Sequence, residues 1–371
     1  MSSTTPSGVV DWDRAVSTAT RIAGQGPQVS LGEARAAVAD LRSCAVDAVG
    51  FVAEHTGLVA PATPGATTVV DRRGWVGANV EGLASVMDPV LMRLRDAKGG
   101  DRTPSLVPQM TGLEVGAALG FLAGKVLGQY ELFTAPGRRP RLLLVAPNIV
   151  HVERELDVVP HDFRLWVCLH EETHRVQFTA VEWLGPWLRS QIEGYLETLE
   201  LDGRALVDRL RRAGGTVMGA LRGLDAIGVL EQVMTPEERA VMDRLTAVMS
   251  LLEGHADVVM DGVGPDVVPT VDTIRERFQQ RRTSPSAGEG LVRRLLGVET
   301  KLKQYRDGAA FTRAVIDEVG MTGFNQVWTS PQTLPSRDEL HDPSAWVARV
   351  VRPDTSPDAS AANAAPAPTE P

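Results

Sequence analysis

His170-Glu171-Glu172-Thr173-His174 has the form H-E-x-x-H, and no other stretch of the chain joins residue types to spacing so closely. Positions i and i+4 of a helix project from one face about a turn apart. Two imidazoles there can share one Zn²⁺ at roughly 2.0–2.1 Å each. The glutamate directly after the first histidine points to the open side of that metal, where it can take a proton from bound water. From the chain's own His and Glu frequencies, the pattern arises by chance in on the order of one in a hundred chains of this length. The stretch predicts a helix that carries a metal centre.

The flanking residues support the helix. Pro160-His161-Asp162 supplies a start, with Asp162 able to accept from the first free N–H groups. Phe163, Val167, His170, His174 and Phe178 fall at helical spacing, so both histidines continue an apolar stripe. A lone histidine on such a stripe is more often a core residue bonded to a carbonyl. Two in register, with a glutamate between them, favour a metal. Glu172 falls on another face and reads as a solvated side chain.

A catalytic zinc takes three protein ligands and leaves one position open for water. Glu253-Gly254-His255-Ala256-Asp257 offers the third. A helix begins before it, with Thr235 as N-cap, Pro236 at the first helical position and Glu238 closing a capping box. Val241, Leu245, Val248, Leu252, Ala256 and Val259 form its apolar stripe, and Gly262 is read as its end. Glu253 and Asp257 lie beside that stripe, where a carboxylate pair is costly to desolvate without a cation. Glu253 can ligate the metal while Asp257, one turn on, accepts from the far ring nitrogen of a ligand histidine. The other reading of the pair is a partly exposed acidic edge with arginine partners. His255 is a minor alternative ligand, and Asp261, near the helix end, a weaker one.

Together, His170-Glu171-x-x-His174 and Glu253-x-x-x-Asp257 resemble the thermolysin-like zincins, whose third ligand is a glutamate with an aspartate four residues on. The interval between the two halves is much longer here than in thermolysin. The wider context is similar to a zincin-like metallopeptidase family of actinobacteria labelled coenzyme F420 biosynthesis-associated. That similarity runs through Val10-Asp11-Trp12, Val145-Ala146-Pro147-Asn148-Ile149, Leu169 to Phe178, and Leu252-Glu253-Gly254-His255-Ala256-Asp257. It continues in Leu302-Lys303-Gln304-Tyr305 and Phe324-Asn325-Gln326-Val327-Trp328. The resemblance implies a mainly α (α+β) fold, a zincin-like helical domain with a small β-sheet beside the active-site helix. It also implies a zinc hydrolase; the F420 label implies association rather than a reaction.

Composition bounds the remainder. The chain has 371 residues, 43% hydrophobic and 23% charged, enough to bury a sizeable core. The net charge of −9 argues against nucleic acid as a partner. Cys44 and Cys168 are too few for a disulfide framework, and Cys168, on another face from His170, reads as a buried thiol. Met1 to Gly8 is polar, without a leader-like apolar run, so a cytoplasmic location is expected. Gly112, Gly116, Gly120, Gly124 and Gly128 recur every four residues in an apolar stretch, as in membrane helices. Glu114 and Lys125 bracket only ten uncharged residues, though, well short of the roughly 20 that span a bilayer. The glycines therefore predict a smooth ridge for a close helix neighbour, and no membrane insertion.

Helical periodicity covers Ser30 to His55, Val80 to Ala97, Trp187 to Arg212, Thr235 to Asp261 and Glu289 to Val319. Arg141 to Pro147 is the clearest strand, and by analogy with zincins Leu142 to Val145 would pair with an extended substrate. The basic run from Arg275 to Arg282 reads as a solvated helix end and loop, with a lid over the cleft as the alternative. Residues 1–352 are expected to form one metallohydrolase domain, with 1–135 as a helical subdomain within it. Residues 353–371, rich in Ala, Pro, Ser, Thr and acidic residues, are expected to be disordered.

The expected chemistry is hydrolysis of a peptide or other amide. Zn²⁺ sits on His170, His174 and Glu253, Glu171 is the general base, and Tyr305 or His255 is the electrophile facing the oxyanion. The competing expectation is a catalytically silent, zinc-stabilised binding or scaffold protein. A fourth coordination position closed by His255 or Cys168 would favour it.

Overall fold

The strand read from Arg141 to Pro147 lies at the centre of the molecule. In the computed structural model, which describes residues 10–61, 65–97, 106–198, 234–283 and 298–353, eleven α-helices surround a three-stranded sheet. The order is α1 (Trp12–Ala23), α2 (Leu31–Thr56), β1 (Thr67–Val70), α3 (Arg72–Ala97), α4 (Leu106–Ala123), β2 (Gly128–Tyr130), β3 (Leu142–Val145), α5 (Ala146–Glu155) and α6 (Pro160–Ala180). Then follow α7 (Leu184–Thr198), α8 (Pro236–Val263), α9 (Val271–Thr283), α10 (Val298–Phe324) and α11 (Pro343–Val350). The fold is mainly α with a small sheet, as expected.

The sheet order is β1-β3-β2, with β1 parallel and β2 antiparallel to β3. Successive side chains of a strand point to opposite faces, and β3 is apolar on both. Leu144 joins the core built from α2, α6 and α9, with Leu41, Phe163 and Ile274. Leu143 and Val145 join the other core, with Trp12 and Ala19 of α1 and Trp75 of α3. A third cluster, with Leu251, Phe311, Phe324 and Trp346, ties α8 to α10 and α11. Because β3 is the central strand, it has no free edge. The strand with the open edge beside α6 is β2, which corrects the sequence-based assignment of that role to Leu142 to Val145.

Capping chemistry sets several helix starts. Ser30 with Glu33, and Thr235 with Glu238, form complete capping boxes. The latter begins α8 where the sequence places it, while its C-cap is Gly264 rather than Gly262. Helix α3 starts at Arg72, eight residues before the expected start, because Asp71 accepts from the Gly74 N–H at 2.7 Å. Asp162 is not a cap. Val159 occupies that position, and Asp162 instead accepts from the Thr270 N–H (3.0 Å) and hydroxyl (2.7 Å) ahead of α9.

The glycine ridge serves close packing in a helix pair. A Cβ added at Gly116 would lie 2.7 Å from the Ala15 carbonyl oxygen, and one at Gly120 2.8 Å from that of Ala19, so α4 can approach α1 only without them. Among the described residues no helix is long and apolar enough to cross a membrane. Helix α9 is held to its neighbours by Arg275 on Asp261 (2.5 Å) and Arg281 on Glu155 (2.8 Å), while Arg277 donates to the Leu156 carbonyl (2.7 Å). Those contacts tie this run to α8 and to the end of α5. The expected tail beyond residue 353, the helical reading at 199–212 and that at 289–297 lie outside the described residues.

Candidate metal centre

Helices α6 and α8 cross so that one face of each meets the other. His170 and His174 project from α6, and Glu253 from α8. The two Nε2 atoms are 3.1 Å apart. Glu253 places Oε2 at 3.5 Å from His170 Nε2 and Oε1 at 3.6 Å from His174 Nε2. Zinc–ligand bonds of about 2.0–2.1 Å in a tetrahedron separate the donor atoms by roughly 3.3 Å. The three groups therefore stand at the spacing that one such ion requires.

The chemistry of the donors points the same way. Nδ1 of His170 lies 3.1 Å from Met260 Sδ, a group that can only accept, so Nδ1 carries a proton and Nε2 is the nitrogen turned to the trio. Two imidazole nitrogens and a carboxylate facing one another at 3.1–3.6 Å call for positive charge between them, as a metal ion or as a proton. The protonation balance reports the same need. Burial opposes charge on His170, but the hydrogen bond and charge of Glu253 outweigh it and hold His170 up to about 9. His174 is pushed down, by burial first. The charge of Asp257, one turn beyond Glu253, also favours protonated His170. The far ring nitrogens themselves meet Met260 Sδ and Gln177 Oε1 (2.9 Å), two partners that the sequence reading did not name.

Glu171 stands beside the trio, buried, and burial together with the nearby Glu253 charge pushes its carboxyl up to about 7. Its other neighbour is the edge strand. A Cβ added at Gly128 would lie 2.5 Å from Glu171 Cδ, so a glycine is needed for the carboxylate to occupy its place. Gly128→Ala should leave the fold intact, because a flexible side chain can yield, but should displace the carboxylate by about an ångström. Misplacement of that size costs on the order of 10²-fold in rate. For a zinc hydrolase built on this site, hydrolysis falling by that factor with zinc content unchanged is the expected result of a side-by-side assay.

Glu172 departs from its sequence reading. It is buried, not solvated, and accepts two hydrogen bonds from Arg175, at 2.7 Å and 2.6 Å. Burial raises its pKa against the opposing pull of Arg175. A carboxylate can sit there only because the guanidinium three residues on makes a bidentate pair with it.

The trio opens onto a cavity of about 480 Å³ whose walls include Tyr130, Phe133, Phe178, Leu188, Ile192 and Met249. Tyr130, on β2, stacks on Phe178 at 5.8 Å between ring centres. Tyr305 lies on α10, and its side chain is outside the described residues. His255 is fully buried behind Gln177, and Cys168 is a buried thiol donating to the Leu41 carbonyl at 3.8 Å. Neither reaches the cavity side of the trio. Asp40, Cys44 and His161 also converge. There, however, His161 Nδ1 is hydrogen-bonded to Asp40 at 2.8 Å, Arg164 pairs with the same carboxylate at 3.0 Å, and the buried Cys44 thiol is pushed up to about 12.

The sequence matches a family model described as a zincin-like metallopeptidase over residues 10–347. It is also similar to a crystal structure from Chloroflexus aurantiacus described as that of "a putative hydrolase with a novel fold". The identity is 29% and the TM-score 0.65, with 93% of this chain and 100% of that one covered. No curated protein matches the chain.

Proposed function

Since the chain belongs to the zincin-like metallopeptidase family, a hydrolase family, we propose that it is a zinc-dependent peptidase, acting on peptide or closely related amide bonds. The observation that carries this reading is the convergence of His170, His174 and Glu253 at zinc-ligand spacing on the wall of an apolar cavity. Bound there, zinc supplies Lewis acidity, polarising a carbonyl and lowering the pKa of water to about 7.

The chain's own residues do the rest. Glu171 takes the proton of the attacking water and returns it to the leaving amine. Glu171 is buried beside the trio and borders the cavity, which suits a group that takes a proton and hands it on away from bulk water. The register of β2 against β3, Gly128 with Leu144 and Tyr130 with Leu142, leaves the opposite edge of β2 facing the cleft. An extended peptide can add to that edge with main-chain hydrogen bonds, which sets its scissile carbonyl beside Glu171. The cavity beyond then takes an apolar side chain.

Among the described residues the tyrosine that borders the cleft is Tyr130, and we assign it the oxyanion-facing role that the sequence reading gave to Tyr305 or His255. Tyr130→Phe should lower kcat by about 10²-fold while leaving KM and zinc affinity near wild type. An unchanged kcat would remove Tyr130 from the chemistry.

The decisive test is incubation of the zinc-loaded protein with a mixed peptide library, followed by mass spectrometry. Cleavage that stops on chelation and returns with zinc supports a hydrolase. If zinc stays bound and neither peptides nor simple amides are cut, the reading fails in favour of a silent zinc-stabilised binding protein.

A further inference from the structure

Two features near the metal centre do no ligating: the buried His255, and the Phe324-Asn325-Gln326-Val327-Trp328 segment behind it. We propose that Gln177 and His255 are positioning residues that lock His174 in the tautomer whose Nε2 is bare, with Phe324 and Trp328 walling His255 in place. The inference rests on the metal-centre reading above and extends it to residues of α6, α8 and the segment from Phe324 to Trp328.

Hydrogen-bond logic alone sets the direction of the relay. Gln177 is fully buried, so each polar atom of its amide needs a partner inside the protein. One of its atoms lies 3.0 Å from the Leu252 carbonyl oxygen. A carbonyl only accepts, so that atom is the amide nitrogen. The same nitrogen lies 2.9 Å from His255 Nδ1, which must therefore be the bare, accepting nitrogen of that ring. Both amide hydrogens are now used. The remaining atom, Oε1, can only accept, and it faces His174 Nδ1 at 2.9 Å. His174 thus carries its proton on Nδ1, and its lone pair on Nε2 points at His170 and Glu253.

The aromatic wall explains why this arrangement does not invert. His255 packs against Phe324 at 5.2 Å and Trp328 at 5.4 Å between ring centres. Its Nε2 has no hydrogen-bond partner among the described residues. No acceptor on that side competes for the ring. A flip would set a C–H against the Gln177 amide and leave that N–H unpaired in addition to the ring's own Nε2–H, at a further cost of roughly 1–3 kcal/mol. The ring is therefore held with Nδ1 toward Gln177. Trp328 is itself anchored, since its carbonyl accepts from Trp183 Nε1 at 2.9 Å.

The test uses full-length protein with zinc as the probe, and histidine-selective ¹⁵N labelling of the metal-free form. In the wild type, long-range ¹H–¹⁵N correlations should show His174 as the Nδ1–H tautomer. In Gln177→Leu that preference should be lost, and zinc affinity, measured against a competing chelator, should fall about 10–100-fold. Gln177→Glu, which keeps the acceptor for His174, should hold the tautomer and retain most of the affinity. His255→Phe, which removes only the far acceptor, should give a smaller loss than Gln177→Leu. A merely structural role would lower the melting temperature without moving the tautomer. The proposal is overturned if His174 is an Nε2–H tautomer in the wild type, or if Gln177→Leu binds zinc as tightly as the wild type does. Should the wild type itself bind no zinc, the metal-centre reading fails, and the tautomer measurement still decides the relay.

Discussion

Glu171→Gln should abolish hydrolysis while zinc stays bound. Glutamine matches glutamate in size, so it fits the space that Gly128 leaves beside α6 and does not disturb His170 or His174 on either side. What it loses is the capacity to accept a proton. General-base catalysis of this kind contributes about 10²–10⁴-fold, and kcat should fall by that much with KM little changed. Stoichiometric zinc by elemental analysis and an unchanged melting temperature would show that the site is intact. Full activity in this variant would remove Glu171 from its role. Loss of zinc together with activity would make it a structural residue instead.

Glu253→Ala should cost the protein its zinc. Structural zinc sites with four ligands bind with apparent free energies of about 10–16 kcal/mol. One ligand is then worth on the order of 3 kcal/mol, and its removal should weaken binding by roughly 10²–10³-fold. Glu253 also brings the only anionic donor of the trio, so the variant leaves two imidazole nitrogens 3.1 Å apart without the carboxylate that faces both. Chelator competition on the wild type beside the variant measures the difference. An undiminished affinity would exclude Glu253 as the third ligand. It would also turn attention to Asp257, whose charge already acts on His170.

Much of the site was legible because it is local. The i, i+4 histidines and the intervening glutamate share one helix, and helical periodicity places them without reference to anything else. The start of α8 was legible for the same reason, since Thr235 and Glu238 are three residues apart. Glu172 was misread because its environment is set by elements remote in sequence. Periodicity showed a face away from the metal, but nothing local showed that the chain around Gly65, whose carbonyl accepts from Arg175 at 3.3 Å, would cover that face. Arg175, three residues on, was the one available hint.

The same division separates Glu171 from its surroundings. Three-residue β2 is too short for alternation to reveal, so Tyr130 and the open edge emerge only when β2 pairs with β3. Asp162 looked like a cap because it follows a proline near a helix start, yet it serves Thr270, 108 residues away. Gln177 carried no signal at all: a polar residue three positions after His174 is unremarkable until Leu252 and His255 arrive from α8 to use its amide.

By itself the sequence determined which helix carries the paired histidines, where the helix of Glu253 begins, and the class of chemistry that the residue types allow. Local hydrogen bonds and the 3.6-residue period are enough for that. The tertiary structure alone decided that α8 crosses α6 with Glu253 against the two histidines. On its other side α8 meets α10 at Gly254, where a Cβ would collide with the backbone of Gly308 and Ala309. Crossing points of that kind depend on how closely two backbones can approach, a property of surfaces in contact rather than of any one segment.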